Sequence, residues 1–190
     1  MTRVLMVAVL ALWLGGCTAT AASDKAEETA RPAAAAAHNA ADVAFLQAMV
    51  AHHQQGIAVA DVAADRAVRA EVRLLAAAAA ATQRDEVTIM EYWLRGWQES
   101  TVVDHASHAD HGGRPAIGAA ELDALRGAAG SDVDTTFLTL FTGHQHQTVE
   151  LTRLVTTGGA NPETRDLARR AQESATAQAA EMLSLLSPVE

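Results

Sequence analysis

Cysteine occurs once in these 190 residues, at Cys17, so no disulfide can staple the chain to itself. Large aromatic side chains are scarce as well: one Tyr, three Phe and three Trp. Runs of β-branched residues are rare and no stretch alternates apolar with polar positions, so nothing reads as a strand. Basic charge is also short, with 14 Lys and Arg against 23 Asp and Glu and no basic patch, which argues against nucleic acid as a partner. No P-loop, Gly-rich dinucleotide turn or Ser/His/Asp set is present, and no Glu-x-x-His pair exists from which a di-iron oxidase bundle is built. The chain is therefore expected not to be an enzyme.

What is present begins with Arg3, an apolar run over residues 4–14, and then Gly15, Gly16 and Cys17. That run is too short to span a bilayer, and the small residues after it suit processing, so residues 1–16 read as a signal peptide. Leu-Gly-Gly-Cys looks like a bacterial lipobox, in which Cys17 becomes the lipidated first residue of the mature protein. Residues 17–40 are mostly Ala, Thr, Ser and charged groups with no large apolar side chain. Such a segment cannot bury enough surface to offset its ordering entropy, so it reads as a lipid-anchored flexible tether. The expected location is the cell envelope, extracytoplasmic, held to the membrane through Cys17.

Residues 41–186 are alanine-rich and fit one domain, with the helix as the natural state. Helices are expected at about 41–65, 69–98, 133–157 and 162–186, with a short one at 119–126. The last start is well signalled, since Gly158 and Gly159 close one helix before Asn161 caps the next, with Pro162 in its first turn. A pattern repeats without a gap 92 residues on: Asp42, Phe45, Leu46, His52 and Gln55 match Asp134, Phe137, Leu138, His144 and Gln147. Further along, Glu71, Arg73, Leu75, Met90 and Leu94 match Glu163, Arg165, Leu167, Met182 and Leu186. The expectation is an all-α antiparallel four-helix bundle. Two duplicated hairpins, 41–98 and 133–186, would be related by a pseudo-twofold and joined by a long crossover connection, 99–132.

Candidate chemistry centres on residues 42–57. Phe45, Met49, His52, Gly56 and Val59 recur at steps of three and four, and His53 extends that face, so imidazoles stand where a core helix normally carries Leu or Ile. Buried imidazoles either have hydrogen-bond partners or hold a ligand. Counting outward from a turn near residue 67 or 68 puts His52 level with Gln83, Met49 with Glu86 and Phe45 with Met90. In the second copy His144 is kept, whereas His53, Gln83 and Glu86 become Gln145, Ala175 and Gln178. The connection adds His105, His108 and His111, with Asp104 and Asp110 among them. This is either a weak chelating loop, a secondary site, or a polar surface segment with incidental histidines.

Three motifs carry a family resemblance: D-x-x-F-L-x-x-M-x-x-H-H-x-x-x-I at residues 42–57, Q-x-x-E-V-x-x-M-x-x-W-L-x-x-W at 83–97, and F-L-x-x-F-x-x-H at 137–144. In these the chain resembles the bacterial domain-of-unknown-function family numbered 305 (DUF305), over residues 42–186. The resemblance implies a ferritin-like four-helix bundle, secreted or lipid-anchored, that handles metal in the envelope, chiefly copper, through methionine and histidine. Val59, Ile117 and Phe141 stand where similar proteins often place methionine.

The resulting expectation is a metal-binding envelope lipoprotein using His52, His53 and His144, with Met49 and Glu86 as further ligands. Copper is favoured by the affinity order, and zinc suits the same donors. The alternative is a structural or interaction lipoprotein whose core histidines form a satisfied polar layer without an ion. The anchor is open to a direct test. Cys17→Ala should move the protein from the membrane to the soluble fraction on cell fractionation without unfolding it, and retention with the leader still cleaved would argue against lipidation.

Overall fold

The computed structural model describes residues 36–102 and 117–187, and among them every regular element is a helix. These are α1 (Ala40–Arg66), α2 (Ala70–Gly96), α3 (Ala119–Gly127), α4 (Ser131–Thr156) and α5 (Pro162–Leu186). The expected hairpins are present as α1–α2 and α4–α5, with ends shifted by no more than a few residues. The signal peptide, Cys17, most of the tether, and His105, His108 and His111 of the connection lie outside the described residues.

Local chemistry sets the helix starts. Asn39 caps α1, its side chain accepting from the Ala41 and Asp42 amides, while Asp42 accepts in return from the Asn39 amide. Asn161 caps α5 through the Thr164 amide at 3.0 Å, with Pro162 in the first turn, as the sequence indicates. Between the hairpin helices the turns are short, from Arg66 to Ala70 and from Thr156 to Pro162.

The hairpins are fastened to each other by two aspartates that share one position of the repeat. Asp42, wholly buried at the start of α1, receives the Ala160 and Asn161 amides of the other hairpin's turn at 2.9 and 3.1 Å. Asp134, buried at the start of α4, receives the Val68 and Arg69 amides of the first hairpin's turn at 2.7 and 3.0 Å. Residues 160 and 161 are the repeat partners of 68 and 69, so the two clasps are the same contact made twice. Each aspartate thus ties the beginning of one hairpin to the turn of the other, which makes α1 and α4 antiparallel. Arg73 and Arg165 close the same turns by donating to the carbonyls of Ala67 and Gly159. Gly159 is required there, because an added Cβ would come within 2.7 Å of Asp42 Oδ1 and 2.3 Å of Val155.

α1 packs on α2, α4 on α5, and the hairpins meet chiefly through α1 and α4, whereas α2 and α5 stand apart. The core divides into two apolar clusters. One is built around Phe45, Met49, Met90, Trp93 and Leu94, and the other around Val59, Leu125, Phe137, Phe141 and Met182. Short α3 contributes Leu125 to the second. Phe45 with Met90 and Phe137 with Met182 are symmetry-related core pairs, as the repeat indicates.

Each clasp consists of amides donating to a buried carboxylate, a class of hydrogen bond worth about 1.5–3 kcal/mol. Asp42→Ala and Asp134→Ala should each lower the free energy of unfolding in urea by about 3 kcal/mol. Asp61→Ala, which removes an exposed ion pair with Arg84, should cost under about 1 kcal/mol. Equal effects at all three positions would show that the clasps do not hold the hairpins together.

Candidate functional site

Between the two apolar clusters lies a layer of polar side chains: His52 and His53 from α1, Gln83 and Glu86 from α2, His144, Gln145 and Thr148 from α4, and Gln178 from α5. His52 and His144, repeat partners, stack face to face across the pseudo-twofold with ring centroids 3.8 Å apart and planes within 7°. Gly56 makes this possible. A Cβ there would lie 2.3 Å from His144 Nε2 and 2.4 Å from Gln83 Oε1.

The stacked rings have different partners. His52 Nε2 sits 3.2 Å from the His144 carbonyl and 3.0 Å from Thr148 Oγ1; since the carbonyl only accepts, this nitrogen carries the proton. His144 Nε2 instead meets the Gln83 side-chain amide nitrogen at 3.4 Å. Thr148 is the repeat partner of Gly56, and Gln83 that of Ala175. The hydroxyl that supports His52 is thus missing on the other side of the axis, and an amide from α2 takes its place.

His53 points away from the stack and bonds Glu86, Nε2 to Oε2, at 2.6 Å. The repeat partners of this pair, Gln145 and Gln178, make the same contact as two amides. The register expected from the sequence put Glu86 level with Met49, and the structure moves it about one turn toward the hairpin turn. Side chains lean toward the N-terminus of their own helix, so in an antiparallel pair Glu86 and His53 lean toward each other. Met49 lies in the apolar cluster with Phe45 and Met90.

Several buried polar atoms in this layer have no protein partner: His53 Nδ1, His144 Nδ1 and Gln83 Oε1. Turning the Gln83 amide over would leave its nitrogen and not its oxygen without a partner. Beside them a cavity of about 20 Å³ opens between α2 and α5, room for one water or a bare ion. Its walls include His53, Gln83, Glu86, Gln145, Thr148 and Gln178. Imidazole nitrogens, a carboxylate and amide oxygens are donors that a transition-metal cation accepts. Among the described residues, however, no three His, Cys, Asp or Glu side chains converge on one point. The stack also keeps its lone pairs in two parallel planes, so gathering His52 and His144 on one ion requires one ring to turn.

Of the residues singled out in the sequence, His52 and His144 are therefore in contact, His53 and Glu86 are paired beside them, and Met49 stands at the layer's apolar edge. Thr148, Gln145 and Gln178 were missed as members of the layer. Their signal is in the repeat, where each occupies a position whose partner is Gly56, His53 or Glu86.

Burial governs the protonation of the stacked rings. His52 is pushed down from 6.5 to about 3, first by desolvation and then by the nearby His53, against which its bond to the His144 carbonyl works. His144 is lowered well below 6.5 by burial, then by His52 and His53. Both are neutral at neutral pH, with the His144 lone pair facing the Gln83 amide at Nε2. Below pH 6.5 the unfolded chain takes up protons that the folded metal-free protein refuses, until the folded-state values are reached. Their contribution to stability is therefore complete above 6.5 and declines as the pH falls toward about 3. The urea midpoint should drop between pH 7 and 4, and drop less steeply in His144→Gln. Parallel pH profiles would show that these rings do not titrate on unfolding.

The fold has counterparts among known proteins. A candidate secreted protein of DUF305 from Streptomyces coelicolor is 29% identical with a TM-score of 0.71, over 77% of this chain and 90% of that one. CopM in its Cu(I)-bound form is 25% identical with a TM-score of 0.63, over 76% and 94%. CopM in its Cu(II)-bound form is 25% identical with a TM-score of 0.66, over 76% and 95%. No curated protein matches the sequence. The profile of the family described as domain of unknown function (DUF305) matches residues 42–186, the whole of the two-hairpin bundle, and the chain therefore belongs to the DUF305 family.

Proposed function

We propose that this protein binds a transition metal, copper before zinc, in the polar layer of its bundle, as part of metal handling or resistance in the cell envelope. The observation that carries the reading is the layer itself: three buried imidazoles beside a carboxylate, with Nδ1 of His53 and of His144 left without a protein partner. Buried groups of this kind cost about 1–3 kcal/mol each unless something meets them. The likeness to CopM, solved with Cu(I) and with Cu(II), supports copper.

His52, His53 and His144 are the residues that would hold the ion, with Glu86 supplying the compensating negative charge. Met49, one turn before His53, is the thioether within the same face of α1. The depressed pKa values of His52 and His144 suit this role, because a ligating imidazole must be neutral and these two rings need lose no proton to bind. The Thr148 hydroxyl does lie beside His52 Nε2, but that nitrogen already carries a proton and faces a carbonyl, so the role proposed is binding and not catalysis. A lipid anchor at Cys17 would keep the bundle at the membrane. No helix among the described residues is long and apolar enough to cross a membrane.

Calorimetric titration with copper tests the site. His52→Ala combined with His53→Ala should abolish the tightest binding, whereas replacing His105, His108 and His111 should remove only weaker events, because ligands mounted on packed helices are already held in place. The reverse outcome would move the function to the connection. If the wild-type protein took up no metal, the layer would be a device for packing alone.

A further inference from the structure

We infer that the cleft between α2 and α5 is the door by which a cation enters and leaves the imidazole layer, and that it admits the ion only without its chelator. The inference rests on the metal-binding reading above. It follows from which approaches to the layer the fold closes and which one it leaves open.

Along the bundle axis both ways are shut. Phe45, Met49 and Met90 lie fully buried on one side of the layer, and Phe137, Phe141 and Met182 on the other. Sideways, the close packing of α1 on α2, α4 on α5 and α1 on α4 seals three of the four seams. The fourth seam, among the described residues, is a cleft lined by small side chains, Ala79 of α2 and its repeat partner Ala171 of α5, with Ala175. At its mouth stand another pair of repeat partners, exposed Thr82 and half-buried Ser174.

The inner wall of this cleft touches both stacked rings. Thr148 reaches His52 Nε2 at 3.0 Å and Gln83 reaches His144 Nε2 at 3.4 Å, so an ion that has passed the mouth is one side chain away from either imidazole. Gln83 is buried, lines the cleft and carries an unpartnered Oε1. Glu86 is the single carboxylate among the lining residues and draws a cation inward. The cavity's 20 Å³ is about the space of one water, too small for a hydrated ion shell or an organic chelator. Release must then precede capture by any chelator outside.

Stopped-flow exchange of Cu(II) on the full chain tests this, using the kinetic phase that disappears in the His52→Ala, His53→Ala double variant. Thr82→Trp plugs the mouth and leaves in place Ser174, whose hydroxyl accepts from Gln178 of the layer. Uptake and release should both slow by about tenfold or more, equivalent to roughly 1.4 kcal/mol on the barrier, with the dissociation constant unchanged. Thr82→Ala widens the mouth and should speed both steps, which keeps the test informative if the plugged variant does not fold. In the wild type the release rate should not depend on EDTA concentration. Wild-type exchange rates in both mouth variants, or release that accelerates in proportion to EDTA, would overturn the door while leaving the metal site standing. A wild-type protein with no such Cu(II) phase would overturn both.

Discussion

Two carboxylates hold the arrangement on which everything else depends. Asp42 and Asp134 each collect the amides of the opposite hairpin's turn, and because equivalent residues meet at both ends, the hairpins cannot slide along each other without breaking both clasps. α1 and α4 are thereby fixed antiparallel. His52 lies ten residues into α1 from Asp42, and His144 ten residues into α4 from Asp134. Equal distances from equivalent clasps bring the two rings to the same height on the pseudo-twofold, where they stack. The imidazole contact is in this sense a product of the turns, formed some 15 Å away by helical rise.

Strict symmetry at the axis would have produced two equivalent rings, and a few substitutions prevent it. Gly56 leaves room for His144 where its partner Thr148 fills space and supports His52. Gln83 reaches across from α2 where its partner Ala175 stops short and leaves the cleft open. One ring is held through its protonated Nε2 by a carbonyl and a hydroxyl; the other has only an amide at 3.4 Å. The duplicated scaffold therefore presents an unequal pair, one imidazole held by two short polar contacts and the other by a single long one and by stacking on Phe141.

Much of this was legible in the chain. Alanine content, the caps at Asn161 and Pro162 and the ungapped repeat give helices, hairpins and their relation, since these depend on neighbours in sequence or on a period that can be counted. The burial of His52 and His144 follows from their place on an apolar helical face. The repeat marks Asp42 and Asp134 as equivalent but does not show what they hold, because their partners lie 118 and 66 residues away. Pairing Glu86 with Met49 failed for a geometric reason, the opposed lean of side chains in an antiparallel pair, which level counting ignores. The unpartnered nitrogens and the open seam depend on ring orientation and helix separation, and neither leaves a mark in residue order.

The second copy supplies a control for what packing alone requires. At its own His53 and Glu86 positions it carries Gln145 and Gln178, which meet through a neutral hydrogen bond and fit the same space. An amide pair is the cheaper solution in a protein interior, since burying charge costs more than burying dipoles. If the layer served only to register the hairpins, that solution would suffice in both copies. The first copy instead keeps an imidazole bonded to a carboxylate, leaves Nδ1 of that imidazole bare, and places the pair in the wall of the cleft between α2 and α5. The excess of donors over protein partners lies on the open side of the bundle, and that is where a ligand would have to meet them.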